Sequence, residues 1–189
     1  MGNPVEVDDA LVLLLGAPSH RVRPGRIEGV TRLEKLLFIL DKEGDAKDWM
    51  SEDPEFVPYN YGPFTPKVYQ AVDTLSTTGI IEDSKASARD DSDTWEERDA
   101  IGSGNAIGES DEAPNPYVTR DFSLTDRGWK YYHVLEQEVG RKVVDGISAI
   151  KDDFAALPLN QLVRYVYSNH DEFTSKSLIR DQVLRGHEQ

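Results

Sequence analysis

The sequence predicts a mostly α-helical protein with a small antiparallel β-hairpin, an α+β core followed by a C-terminal helical extension. Three observations lead there. Apolar residues recur at helical spacing in successive stretches, most of them closed by Gly or Pro. One pair of short segments, 79–82 and 117–124, instead carries β-branched and aromatic residues, and the second alternates with period two. That second segment runs directly into Leu124-Thr125-Asp126-Arg127-Gly128, a strand ending in a helix cap.

Composition narrows the functional classes. At 189 residues the chain is long enough for one domain with a real core plus an insertion or extension. It has no Cys, which excludes a disulfide framework, thiolate metal sites and a Cys nucleophile. No apolar run approaches the roughly 18 residues of a membrane span. The start, Met1-Gly2-Asn3-Pro4-Val5-Glu6, lacks a basic region before an apolar one, so a cytoplasmic protein with no membrane partner is expected. The net charge of -14, from 35 acidic and 21 basic residues, disfavours a chain whose main task is to neutralise a polyanion, yet leaves room for a local basic face. Abundant acid, Lys scarce beside Arg and no Cys resemble the balance of halophilic proteins, in which about 1 M salt screens self-repulsion within about 3 Å.

In chain order, Val7, Ala10, Leu11, Leu14 and Leu15 mark a first helix over 5–15, ended by Gly16-Ala17-Pro18. A basic loop follows, with His20, Arg21, Arg23 and Arg26 around Pro24 and Gly25. It suits a phosphate backbone or an acidic partner, and equally a solvated loop that balances charge. Thr31-Arg32-Leu33-Glu34 has the form of a capping box. Leu33, Leu36, Leu37 and Leu40 then line one stripe of a helix ending near Gly44, and Phe38 and Ile39 widen it into the most buried helix of the chain. Residues 41–53 read as an acidic loop pinned to the body by Trp49 and Met50.

Residues 56–79 are the most sharply delimited stretch. Tyr61-Gly62-Pro63-Phe64 predicts a rigid turn that throws its aromatics inward. Thr65 caps the next helix, Pro66 fits its first position, and Gly79 closes it in a left-handed conformation. Val68, Ala71, Val72 and Leu75 face inward. Lys67, Gln70 and Thr74 share an outward stripe of side-chain types able to meet phosphates or base edges, with Asp73 beside them.

Between the two hairpin arms lies a segment, 84–116, rich in Asp, Glu, Ser, Gly and Ala. From 82 to 112 there are 11 acidic and 3 basic residues, more than half of the net charge. Such a composition buries too little apolar surface to offset its ordering entropy, so a flexible insertion is expected. In the second arm Val118, Arg120, Phe122 and Leu124 share one face. Thr125 caps a helix buried through Trp129, Tyr132, Leu135 and Val139. Further helices follow on Val143, Ile147, Ile150 and Phe154, on Leu159, Leu162, Val163 and Val166, and on Leu178, Ile179 and Val183.

The order helix, helix, helix closing at Gly, hairpin, helix is that of a winged-helix domain. Residues 1–140 are read as that domain, with the insertion in its wing, and residues 141–189 as a helical extension packed on it that is structural or forms a homodimer. More specifically, Thr31-Arg32-Leu33-Glu34-Lys35-Leu36-Leu37-Phe38, the Tyr-Gly-Pro turn and the helix ending in Gly79-Ile80 resemble the Panacea (SocA-like) antitoxin domain and related uncharacterised winged-helix proteins. The likeness covers about residues 8–82 and, more loosely, 117–135. Tyr165-Val166-Tyr167 and Asp171-Glu172-Phe173-Thr174 are similar to the tails of some relatives. The long acidic insertion departs from the compact pattern. The resemblance implies a non-enzymatic module that binds and neutralises a protein partner, or a DNA-binding transcription regulator built on the same fold.

A search for chemistry finds little. His20, His133, His170 and His187 have no second ligand at i+3 or i+4, no Gly-x-Ser-x-Gly elbow occurs, and Asp90-Asp91-Ser92-Asp93 lacks the spacing of a calcium loop. Asp152-Asp153 and Glu96-Glu97 read as solvated faces rather than acid/base pairs. No enzyme and no metal or other cofactor are expected. The residues expected to meet a protein partner, or DNA through a local basic face, are Tyr59, Tyr61, Lys67, Gln70, Thr74, Arg120, Arg21, Arg23 and Arg26.

Overall fold

The computed structural model describes residues 5–60, 62–84, 86–87 and 118–185. In chain order the elements are α1 (Val7–Gly16), β1 (Arg26–Glu28), α2 (Val30–Lys42), the short α3 (Ala46–Trp49), β2 (Val57–Tyr59), β3 (Gly62–Phe64), α4 (Pro66–Thr77), β4 (Ile81–Asp83), β5 (Ala86–Ser87), β6 (Val118–Thr119), β7 (Asp121–Leu124), α5 (Asp126–Val139), α6 (Arg141–Ile150), a π-helical turn (Lys151–Ala155), α7 (Leu159–Asn169), a 3-10 turn (Asp171–Phe173) and α8 (Arg180–Arg185). The protein is mostly helical, with small antiparallel sheets, an α+β fold.

Helix α1 sits at the centre. It packs on α2, α4, α5, α6 and β7, so every residue from Ala10 to Gly16 is buried, including Val12 and Leu13, which a one-sided stripe would leave exposed. Close approach depends on Gly16, where a Cβ would fall 2.2 Å from the Tyr132 ring of α5. The expected stripe of α2 is fully buried, and burial extends to Glu34, Lys35 and Asp41. The helices beyond Gly140 join the same core through Ile147, Leu162, Val163, Val166 and Tyr167.

The sheet is wider than a hairpin. Strand β7 lies in the middle, antiparallel both to β4, with Glu82 opposite Ser123, and to β1, with Ile27 opposite Phe122. Strand β1 is three residues, a lone apolar Ile27 between basic Arg26 and acidic Glu28, too short for its period to be read from sequence. Asp121, expected on the opposite face from buried Phe122, is itself buried because it accepts from Arg26 at 3.0 Å.

Helix α4 ends as its sequence predicts. Gly79 has φ +72°, its amide donates to Ser76 O at 3.0 Å, and Ile80 N donates to Leu75 O at 2.8 Å, the paired bonds of a Schellman cap. Thr65 accepts from Lys67 N at the other end. Thr125 caps α5 in the same way, accepting from Gly128 N.

Four expectations are corrected. Thr31 and Glu34 form no capping box: α2 begins after Gly29, the Thr31 hydroxyl is buried without a partner, and Glu34 turns away to another element. Residues 41–53 are not one loop, since α2 continues to Lys42 and α3 carries Trp49 at its end. Gly62 and Pro63 of the expected turn lie in β3 of a two-stranded hairpin, β2 on β3, whose Tyr59 and Phe64 rings stack at 4.8 Å and stay half-buried instead of entering the core. Leu178, expected on the apolar side of the last helix, precedes it and is 72% exposed. The acidic insertion lies outside the described residues apart from Ser84, Ala86 and Ser87, as does Tyr61.

Candidate functional site

The geometry of α4 is set by two charged residues that no surface pattern reveals. Glu34 and Lys35, both fully buried, lie side by side on α2 with Lys35 Nζ donating to Glu34 Oε2 at 2.9 Å. Glu34 Oε1 accepts from Thr65 N at 3.0 Å, and Lys35 Nζ also donates to Pro63 O at 2.7 Å. Thr65 Oγ1 donates to Pro54 O at 2.6 Å while accepting from Lys67 N at 3.2 Å. Burial pushes the Glu34 carboxyl up, against the pull of Lys35 and the Thr65 amide. The pair therefore pins strand β3 and the first turn of α4 to α2. Gly62, with φ +97°, lets the hairpin lie against Tyr167, where a Cβ would meet the ring at 2.6 Å.

The outward stripe of α4 lacks the free cations a recognition helix needs. Lys67 is half-buried, bonded to Glu52 at 2.8 Å, to Glu55 at 3.4 Å and to Asp53 O at 2.7 Å, and these hydrogen bonds, Glu52 foremost, hold its ammonium pKa up. Burial pushes Glu52 up, but the Lys67 bond and the Val7 amide outweigh it and hold its carboxyl below the ordinary range. Arg120, next to β7, donates to Asp73 at 2.7 Å and Asp83 at 2.8 Å, which hold its guanidinium charged in spite of burial. Gln70, Asp73, Thr74 and Thr77 remain exposed. Thr74 also borders an open depression of about 790 Å³ with Asp8, Asp9, Arg127 and Lys130, where Tyr131 donates to Asp9.

The basic loop makes a different surface. Arg21, Arg23 and Arg26 line one cleft of about 390 Å³, with Val22, Ile27 and Glu28 of the same stretch, Arg32 of α2, and Ala155 and Ala156 at the end of the π-helical turn. Arg26 is bonded to Asp121 and, at 3.3 Å, to Glu28. Arg32 donates to the carbonyls of Ala155 at 3.1 Å, Leu157 at 2.6 Å and Glu28 at 3.2 Å. Arg21 and Arg23 are exposed and make no side-chain bond among the described residues.

Sequence reasoning missed the residues that hold this loop. Asp152, read as a solvated acid, accepts from Ser19 Oγ at 2.6 Å and His20 N at 2.7 Å, bonds that keep its carboxyl below the ordinary range. Ser19 Oγ in turn accepts from the amides of Arg21 and Val22, each at 3.1 Å. Lys151 donates to Leu15 O at 2.9 Å and Ala17 O at 2.6 Å, capping the last carbonyls of α1, and burial pushes its pKa down to about 8. These partners stand over 130 residues apart, so no local signal could have paired them.

The structure thus brings Arg21, Arg23 and Arg26 together in one cleft, engages Lys67 and Arg120 with acids, leaves Gln70 and Thr74 exposed, and places Tyr59 against Phe64 on the hairpin. Among the described residues no cluster of His, Asp and Glu has the form of a metal site, and no helix is long and apolar enough to cross a membrane. No family model, curated protein or solved structure matches the chain.

Proposed function

We propose that the chain is a winged-helix-like regulatory module of antitoxin type, one that acts by binding a protein partner through the exposed stripe of α4 and the neighbouring β2–β3 hairpin. The observation that carries this reading is the state of the cations there. A surface that reads duplex DNA needs unengaged Lys and Arg along the helix, because phosphate neutralisation supplies most of the affinity. Here Lys67 is engaged by Glu52 and Glu55, Arg120 by Asp73 and Asp83, and the remaining stripe is neutral or acidic. Exposed polar Gln70 and Thr74 on α4, and half-buried Tyr59 and Phe64 on the hairpin that leads into it, are of the mixed polar and aromatic kind found in protein interfaces.

The discriminating experiment adds charge. The Gln70→Arg/Thr74→Arg variant places two unengaged cations on the stripe. If the stripe is a protein interface, the variant loses a stoichiometric partner that co-purifies with the wild-type chain from its native host. If instead wild-type protein binds duplex DNA with a log-log salt slope of about -3 or steeper, and the added arginines strengthen that binding, the protein-binding reading is wrong.

A further inference from the structure

We propose that the arginine cleft beside β1 is a binding site for a compact phosphorylated ligand, a phosphate or diphosphate ester held by Arg21 and Arg23. This site is separate from the α4 stripe and does not depend on the reading given to it. A volume of about 390 Å³ lies in the range of small-molecule sites and is bounded on its apolar side by Val22, Ile27 and Ala155. Its cations divide into two kinds. Arg26 and Arg32 are fixed in the wall by carboxylates and carbonyls. Arg21 and Arg23 carry guanidinium forks that no described residue engages, and their planar N–H pairs match phosphate oxygens. In a chain of net charge -14, two unengaged arginines at one concave place mark where an anion is favoured.

The loop that carries them is preorganised. Asp152 clamps Ser19 and His20, Ser19 clamps the amides of Arg21 and Val22, and Lys151 holds the end of α1 from which the loop departs. Lys151 and Asp152 open the π-helical turn, and Ala155 closes it as part of the cleft wall and as the acceptor for Arg32. One local departure from α-helical geometry, a feature common at functional sites, thus fixes the loop and shapes the cleft together. The ligand is compact rather than an extended acidic peptide because β1 offers only three residues of edge, and Arg32 already occupies the Glu28 carbonyl. A phosphate group presents about two charges and three acceptor oxygens to two forks, against one charge on a carboxylate.

The test is calorimetric titration of the full chain with pyrophosphate and with adenosine diphosphate in low salt, with glutarate and a duplex oligonucleotide as competing chemistries. Saturable binding of the phosphorylated probes at one site is expected, weakened at least about tenfold in Arg21→Ala/Arg23→Ala, since each arginine supplies charge-assisted hydrogen bonds. Asp152→Ala, which removes the acceptor for Ser19 and His20 and releases the loop without touching the ligand, is expected to weaken binding severalfold, whereas Arg141→Ala, on the 93% exposed side chain of α6, leaves it unchanged. Thermal unfolding of each variant establishes that it is folded. The proposal is overturned if neither phosphorylated probe binds, if Arg141→Ala weakens binding as much as the double variant, or if glutarate or the oligonucleotide binds more tightly than pyrophosphate.

Discussion

Changing Lys35 to Met leaves the Glu34 carboxylate fully buried with the Thr65 amide as its remaining donor, and takes the Lys35 donor away from Pro63 O. Stranding one member of a buried pair costs about 3–5 kcal/mol, a large part of the roughly 5–15 kcal/mol that holds a domain folded. Glu34→Gln keeps an oxygen for Thr65 N–H but turns an amide donor toward the Lys35 ammonium, at a cost of about 2–3 kcal/mol. The double variant Glu34→Gln/Lys35→Met carries neither charge, so its loss is expected to fall short of the sum of the two singles by about 1.5–3 kcal/mol. Urea unfolding of the four proteins at neutral pH, followed by circular dichroism, closes the cycle. Thr65, which bonds Glu34 through its amide and caps α4 by accepting from Lys67 N, stands directly on this pair, so amide exchange at the start of α4 should accelerate in Lys35→Met more than at the middle of α1. Energies that add to within about 0.5 kcal/mol would show that the two charges do not act as a unit and would refute the argument.

Packing and burial dictate three further outcomes. A Cβ on Gly128 would stand 2.1 Å from the Ile80 carbonyl, a backbone atom, so Gly128→Ala should destabilise the fold by about 2–4 kcal/mol. Gly146 in α6 has nothing within 4 Å, and Gly146→Ala should stabilise by about 0.5–1 kcal/mol; thermal unfolding compares the two, and equal effects would refute the reasoning. Lys151 titrates near 8 when folded, below its value of 10.5 in the open chain, so between those limits the unfolded chain holds the proton that the folded one has released. The stability this amine contributes therefore rises with pH across that window and is lost as pH falls through about 8. Relative to Lys151→Met, which does not titrate there, wild-type protein should gain up to roughly 3 kcal/mol between pH 8 and 10.5 in chemical unfolding, and a flat difference would contradict the burial argument.

The helices could be read because their signals are local. Thr65, Pro66 and Gly79 delimit α4 through bonds that span no more than five residues, and Thr125 caps α5 within three. The apolar spacing of α2 and α7 survives because the two helices pack on each other within the common core. Strand β1 was invisible for the opposite reason: three residues become a strand only because Phe122 stands opposite Ile27, some ninety-five positions further along the chain. The capping box was legible and false. Thr31 and Glu34 have the right spacing, yet a carboxylate that can reach a buried amide on another element gains more there than at a helix end where water is available.

The candidate surfaces divide along the same line. Sequence alone determined that Arg21, Arg23 and Arg26 are concentrated in one short basic loop of an acidic chain, and that Gln70 and Thr74 face outward from a well-capped helix. Only the tertiary structure decided which of the cations are unengaged. Lys67 and Arg120 lost that status to Glu52, Glu55, Asp73 and Asp83, residues brought within 4 Å by folding, while Asp152 and Ser19 shaped the early loop into a cleft wall. Charge is a property of composition, but whether a charge is available depends on the distance to its nearest opposite, and that distance is set by the fold.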